Sequence, residues 1–187
     1  MKRAIIVGCG KQKRDGESRA EDLYTSPYFA FKRQYAETFS NGKWFVASAK
    51  HGLLPHYREV EPYDKHIKEM DYDERVALFE HGTPFGSVTS AFTDLFEYDE
   101  VDVLAGKDYV KPIREACRNT KDRWGKLSDT AFQDPPTVNG VFQQANLGGM
   151  GEQISWMKTA LRENLRQPGE KYNGQVGLDR YNYEVEV

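Results

Sequence analysis

The sequence predicts an α/β domain built on a mostly parallel sheet. Three observations carry that prediction. Short apolar runs alternate with segments of helical spacing. Three of those runs end in loops with unusual chemistry: Gly8-Cys9-Gly10-Lys11, Ser48-Ala49-Lys50-His51-Gly52 and Ala105-Gly106-Lys107-Asp108-Tyr109. In a parallel sheet such loops share one edge, where ligands bind, so residues far apart in sequence converge.

The first strand is Lys2 to Val7, K-R-A-I-I-V, stopped by Gly8-Cys9-Gly10. Lys11 to Arg19 is polar and basic and is expected as a mobile loop. Ser26 as N-cap and Pro27 at the first helical position open a helix carrying Tyr28, Phe31, Tyr35 and Phe39, which Asn41-Gly42 ends. Trp44 to Ser48 is the second strand and runs straight into Ala49 to Pro55. Val60 to Asp64 is extended or turning, because Pro62 disfavours helix at Glu61. Helices are expected over Asp73 to Glu80 and Ser87 to Phe96, and a third strand over Val101 to Leu104. Asp108 to Arg118 reads as a helix despite Pro112. Trp124 to Met150, rich in Gly, Pro, Asn and Gln, reads as a loop or small insertion. Glu152 to Leu165 is amphipathic, with Ile154, Met157, Leu161 and Leu165 on one side. The expected organisation is a single α/β domain over 1–166 and a polar tail over 167–187, either flexible or pairing with another chain.

Length and composition narrow the class. The 187 residues suit one domain, and 13% aromatic residues argue against disorder over most of the chain. A formal charge of -3 argues against a nonspecific polycation and leaves room for a local basic face. No apolar run approaches the roughly 20 residues of a bilayer span, and the start carries no apolar leader. Two distant cysteines exclude a disulfide-dense scaffold and a four-cysteine zinc site. The expectation is a cytoplasmic protein that does not engage a membrane.

The loops carry the chemistry. Gly8 to Lys13 is either a strand-end turn with solvated lysines or an anion cradle, and it matches neither G-x-x-x-x-G-K-[ST] nor G-x-G-x-x-G. Cys9 is either a small buried residue or a nucleophile whose thiolate Lys11 and Lys13 favour. Lys50 and His51, adjacent at the end of an apolar strand, are poor packing choices and good proton- and anion-handling groups. Asp64 supplies a carboxylate that either orients His51 and opposes a developing cation, or caps the next helix. Tyr24 and Ser26 sit at a helix start suited to phosphate, with ordinary capping as the plainer role for Ser26. Asp108 caps a helix or binds, and Lys107 and Tyr109 lie beside it. The spacing of His51, His56, Asp64 and Cys9 matches no strong metal-ligand pattern, so no metal and no cofactor are expected.

Six motifs occur in order: C-x-K-x-K at Cys9–Lys13, L-Y-x-S-P-x-F at Leu23–Phe29, S-A-K-H-G-L at Ser48–Leu53, P-Y-D at Pro62–Asp64, L-A-G-x-x-Y at Leu104–Tyr109 and G-x-G-E-Q-x-x-W at Gly149–Trp156. Over about residues 4–160 the chain resembles an uncharacterised family of small microbial and viral proteins, a domain of unknown function. It departs from that pattern in carrying Gly10 in place of Ser and a longer Trp124 to Met150 stretch. More distantly the family is similar to peroxide-stress DNA-binding proteins and to the uracil-glycosylase-like domain of archaeal tRNA base-modifying enzymes. That likeness implies a three-layer α/β sandwich and a nucleic-acid or nucleobase substrate.

Two functions follow as expectations. The first is cleavage or exchange of an N-glycosidic bond at a modified base, by a glycosylase-like hydrolase or transferase. His51, Asp64 and Lys50 are then the catalytic set. Cys9, Lys11, Lys13, Tyr24, Ser26, Ser48, Lys107, Asp108 and Tyr109 are the substrate-binding set, with the lysines on phosphate and Tyr24 or Tyr109 stacked on a flipped base. The alternative is a nucleic-acid or nucleotide binding protein without turnover, using the same basic and aromatic residues.

Overall fold

The computed structural model describes residues 2–40, 43–82, 91–124 and 134–167. Its elements in chain order are β1 (Arg3–Gly8), β2 (Ser18–Arg19), α1 (Ala20–Leu23), α2 (Pro27–Phe39), β3 (Trp44–Ser48), β4 (Gly52–Pro55) and β5 (Glu59–Val60). They continue with α3 (Tyr72–His81), β6 (Glu100–Leu104), α4 (Lys107–Trp124), β7 (Thr137–Gly140), α5 (Val141–Gln144) and α6 (Met150–Glu163). No helix among the described residues is long and apolar enough to cross a membrane.

The main sheet has five strands in the order β4-β3-β1-β6-β7. β1 pairs in parallel with β3 and with β6, and β6 pairs in parallel with β7. Only β4, at one edge, runs antiparallel. The three strands predicted from sequence therefore open on one edge, as expected. β1 is an unbroken apolar run because it is covered on both sides. Successive side chains alternate faces: Ala4 and Ile6 join one core cluster, Ile5 and Val7 the other. The first cluster takes Val76 and Phe79 of α3 and Val110 and Ile113 of α4. The second takes Phe29 and Tyr35 of α2 and Trp156 and Met157 of α6. Helices thus cover both faces of a mixed, mostly parallel sheet.

Local chemistry explains the element ends. Ser26 accepts a hydrogen bond from the Phe29 amide at 3.2 Å and Pro27 starts α2. Asp71 and Glu74 form a reciprocal capping box at α3. α6 ends at Asn164 in the left-handed conformation. The stop expected at Asn41-Gly42 lies outside the described residues, and α2 closes earlier, with the Ser40 amide bonded to the Ala36 carbonyl.

Four expectations change. Lys11 to Arg19 is tied down: Lys13 bridges to Tyr24, the Arg14 amide donates to the Leu23 carbonyl at 2.9 Å, and β2 pairs with β5. The run after β3 turns back at once into β4, because Gly52 sits at φ +75°. A side chain there would place its Cβ 2.5 Å from the Leu78 carbonyl oxygen. The described part of the helix expected over Ser87 to Phe96 is a turn and the 3-10 segment Thr93–Glu97, the rest lying outside the described residues. The Trp124 to Met150 stretch contributes β7 and α5, with 125–133 outside the description. Of the tail, 168–187 is likewise outside it.

Candidate active site at the carboxyl edge of the sheet

The chain runs from β1 to β3 on one side, then returns to β6 on the other. The crevice between β1 and β6 is the switch point at which open α/β sheets bind ligands. Two loops meet there. The Cys9 thiol lies 3.2 Å from the Tyr109 hydroxyl. The approach is close enough that a Cβ on Gly8 would lie 2.9 Å from that of Ala105.

The third loop, Ala49-Lys50-His51, is the hairpin between β3 and β4. Its turn is held by Ser48, fully buried, whose Oγ accepts from the Lys50 amide at 3.2 Å and the His51 amide at 3.0 Å. Ser48 Oγ also lies 2.8 Å from the Tyr63 hydroxyl, which in turn lies 2.8 Å from the Tyr24 hydroxyl. Tyr63 is the hub of the site. Lys13 Nζ stands 4.3 Å from its ring centroid, Lys50 Nζ 5.8 Å, and the His51 ring meets it edge-on at 5.4 Å. These are cation–π and edge contacts that hold positive charge over an aromatic face.

Burial sets the protonation of the wall. The Tyr24, Tyr63 and Tyr109 phenols are pushed well above the ordinary value, first by desolvation and then by the Cys9 thiolate charge, so they remain hydroxyl donors. His51 is pushed down, first by burial and then by Lys50, so the neutral imidazole prevails at neutral pH. Its Nε2 is buried and has no hydrogen-bond partner.

The structure brings Cys9, Lys13, Tyr24, Ser48, Lys50, His51 and Tyr109 to this edge. Ser26 is occupied as the α2 cap, as the plainer sequence reading has it. Asp108 lies inside the first turn of α4 and pairs with Arg75 of α3 at 3.1 Å. Lys11 and Lys107 are exposed. Asp64 is exposed beside the hub, with no ion pair or hydrogen bond among the described residues, and the short helix that follows is capped by His66 instead. No group of three metal-ligating side chains occurs among the described residues. A surface hollow of about 280 Å³ lined by Lys2, Arg3, Lys43, Glu97 and Tyr98 lies at the opposite edge, remote from these loops.

Two residues escaped the sequence reading. In Pro62-Tyr63-Asp64 the carboxylate is the conspicuous group and the tyrosine is not. Lys32, at helical spacing among aromatics, carries no sequence signal that separates it from a surface lysine. It is 2% exposed, donates to the Gly8 carbonyl beneath the Cys9 loop, and its Nζ lies 4.5 Å from the Tyr28 ring centroid. Burial lowers its pKa from 10.5 to about 8, with the Cys9 charge opposing. The folded state therefore sheds this proton before the unfolded chain does, and stability gains as pH rises from about 8 toward 10.5, by roughly 3 kcal/mol in full. Urea unfolding of wild type and Lys32→Met between pH 6 and 10.5 should show this rise as a difference between the two proteins. Parallel curves would refute it.

The chain is an α/β protein whose carboxyl sheet edge gathers lysines and a histidine around Tyr63. The chain belongs to the family of unknown function DUF6884, whose model matches residues 4–129. That span contains all three loops, Tyr63 and Lys32, and excludes β7 and α6. The chain is 45% identical over 121 residues to an uncharacterized protein, YfjM, of Bacillus subtilis (strain 168), an overlap of 58% of this chain and 73% of that one. No solved structure matches.

Proposed function

We propose that this edge binds a nucleotide unit, free or within nucleic acid, and acts on the N-glycosidic bond of a modified base. The observation that carries the reading is the grouping on Tyr63 of two lysines and a neutral histidine whose buried Nε2 has no hydrogen-bond partner in the protein. Lys13 supplies charge for phosphate, with exposed Lys11 beside it. His51 faces the base. When the C1′–N bond breaks, the bonding electron pair leaves with the base, the neutral His51 ring donates a hydrogen bond from Nε2–H to the base anion, and water supplies the proton that the base takes up. Water, or an incoming base in an exchange reaction, then completes C1′. Lys50 adds positive charge on the leaving-base side, and the free Asp64 carboxylate opposes the cation developing on the sugar. The helix-covered sheet is compatible with a uracil-glycosylase-like scaffold, which is part of this proposal and rests on fold-level analogy.

The non-catalytic reading draws on one observation: Asp64 makes no hydrogen bond to His51, so no carboxylate–imidazole pair is assembled. A single experiment separates the two. The protein is incubated with modified and unmodified DNA, RNA and free nucleosides, and released base is sought by mass spectrometry. Time-dependent release supports the enzyme; saturable binding with no release supports the binder. Affinity for single-stranded nucleic acid should fall steeply with salt, and more shallowly once Lys11, Lys13 and Lys50 are all alanine. A salt slope unchanged by the triple substitution removes these lysines from phosphate binding.

A further inference from the structure

Counting protons in the tyrosine wall narrows the ligand. A serine oxygen has two lone pairs. Both lone pairs of Ser48 Oγ are taken by the Lys50 and His51 amides, so its contact with Tyr63 is the serine donating its own proton. Three hydroxyls, Ser48, Tyr63 and Tyr24, bring three protons to only two contacts between them. One phenolic O–H is therefore left over at the Tyr24–Tyr63 pair, whichever way their mutual bond runs. Both phenols resist ionisation, so the spare donor persists at ordinary pH.

Three strand-end carbonyls at this edge already hold a donor each. The Gly8 carbonyl takes the Lys32 ammonium, the Ala47 carbonyl takes the Cys9 amide at 3.0 Å, and the Ala105 carbonyl takes the Gln143 side-chain amide at 3.0 Å. The hydroxyl wall thus presents a surplus donor beside carbonyls that are already engaged. We infer that the group seated against Tyr24 and Tyr63 is a hydrogen-bond acceptor, and that the pocket selects bases presenting an oxo group there over bases presenting an amino group. This rests on the nucleotide reading above and adds the class of base. An amino group facing the spare O–H leaves two donors opposed and desolvated, which costs about 10- to 100-fold in affinity.

The test is a binding titration with matched 5′-monophosphates, inosine against adenosine and uridine against cytidine, with ribose 5-phosphate as a base-free control. The oxo member of each pair should bind about 10- to 100-fold more tightly. Tyr24→Phe and Tyr63→Phe each leave one spare phenolic proton and should each retain part of the preference. The double variant leaves only the proton of the fully buried Ser48 and should lose the preference, with circular dichroism and melting temperature showing the fold intact. Equal binding of oxo and amino partners by the wild type, or tighter binding of the amino partners, overturns the inference and leaves the nucleotide reading standing. Failure of every nucleotide to bind overturns both. A double variant that binds ribose 5-phosphate and keeps the full preference also overturns the inference.

Discussion

His51→Ala should slow base release by about 10²- to 10⁴-fold in single-turnover measurements while leaving nucleotide affinity within a few-fold of wild type. The argument starts from placement. The ring lies at the end of β3, edge-on to Tyr63, and its Nε2 has no protein partner. A group held this way contributes most when the leaving base gains charge, and little to ground-state binding. The direction of its pKa gives a second handle. Burial and Lys50 both favour the neutral ring, and the ring carries a donor N–H with or without a second proton, so the rate should stay level through neutrality. Asp64→Asn should slow release as well, and the double variant should lose less than the product of the two if both groups act on one transition state. A purely bracing role predicts something else: a lower melting temperature, with activity falling only as the folded fraction falls. A stable His51→Ala protein with full activity takes the imidazole out of the mechanism.

How much of this was legible in the residues differs by element. β1, β3 and β6 were readable because a strand buried on both faces is a continuous apolar run with an abrupt polar stop, a signal that needs no partner. α2 was readable from its cap, since Ser26-Pro27 states both the start and the reason for it. β4 and β7 were not. G-L-L-P and T-V-N-G are too short to show a period, and each is a strand only because a neighbour offers its backbone. The site divides the same way. Lysines and a histidine stranded at strand ends are conspicuous as poor packing choices, so Lys13, Lys50 and His51 stood out. Tyr63 did not, because a tyrosine beside a proline is unremarkable until three elements place their polar groups around it. Lys32 is the clearest limit: its ammonium is buried between the Gly8 carbonyl of β1 and the Tyr28 and Phe29 rings, and P-Y-F-A-F-K does not say which face of α2 meets the sheet.

Asp102→Ala should cost roughly 3–5 kcal/mol of stability, measured by urea unfolding at neutral pH. Asp102 is fully buried in β6. Its Oδ2 lies 2.6 Å from the Arg166 guanidinium and 3.8 Å from that of Arg3, and its Oδ1 accepts from Asn139 of β7 at 3.1 Å. One carboxylate thus ties β1, β6, β7 and the segment after α6. The Arg166 carbonyl also accepts from the Tyr35 hydroxyl of α2, so the same residue fastens the second core cluster. Removing the carboxylate takes away the nearest counter-charge of the largely buried Arg166 and leaves it the Glu100 carboxylate at 3.9 Å, and that weaker compensation is the source of the loss. Because the pair is shielded from solvent ions, the loss should persist at high salt, unlike that of a surface bridge. Arg166→Met should cost a similar amount, since it strands Asp102 with only the more distant Arg3. The double variant Asp102→Ala/Arg166→Met should be well short of the sum, because neither charge then remains to miss its nearest partner. The family match ends before Arg166, so this tie also predicts that a chain cut to residues 4–129 loses cooperative unfolding, although it keeps every loop of the site. Additive single effects of under about 1 kcal/mol each would show that β7 and α6 hold the sheet by apolar packing alone.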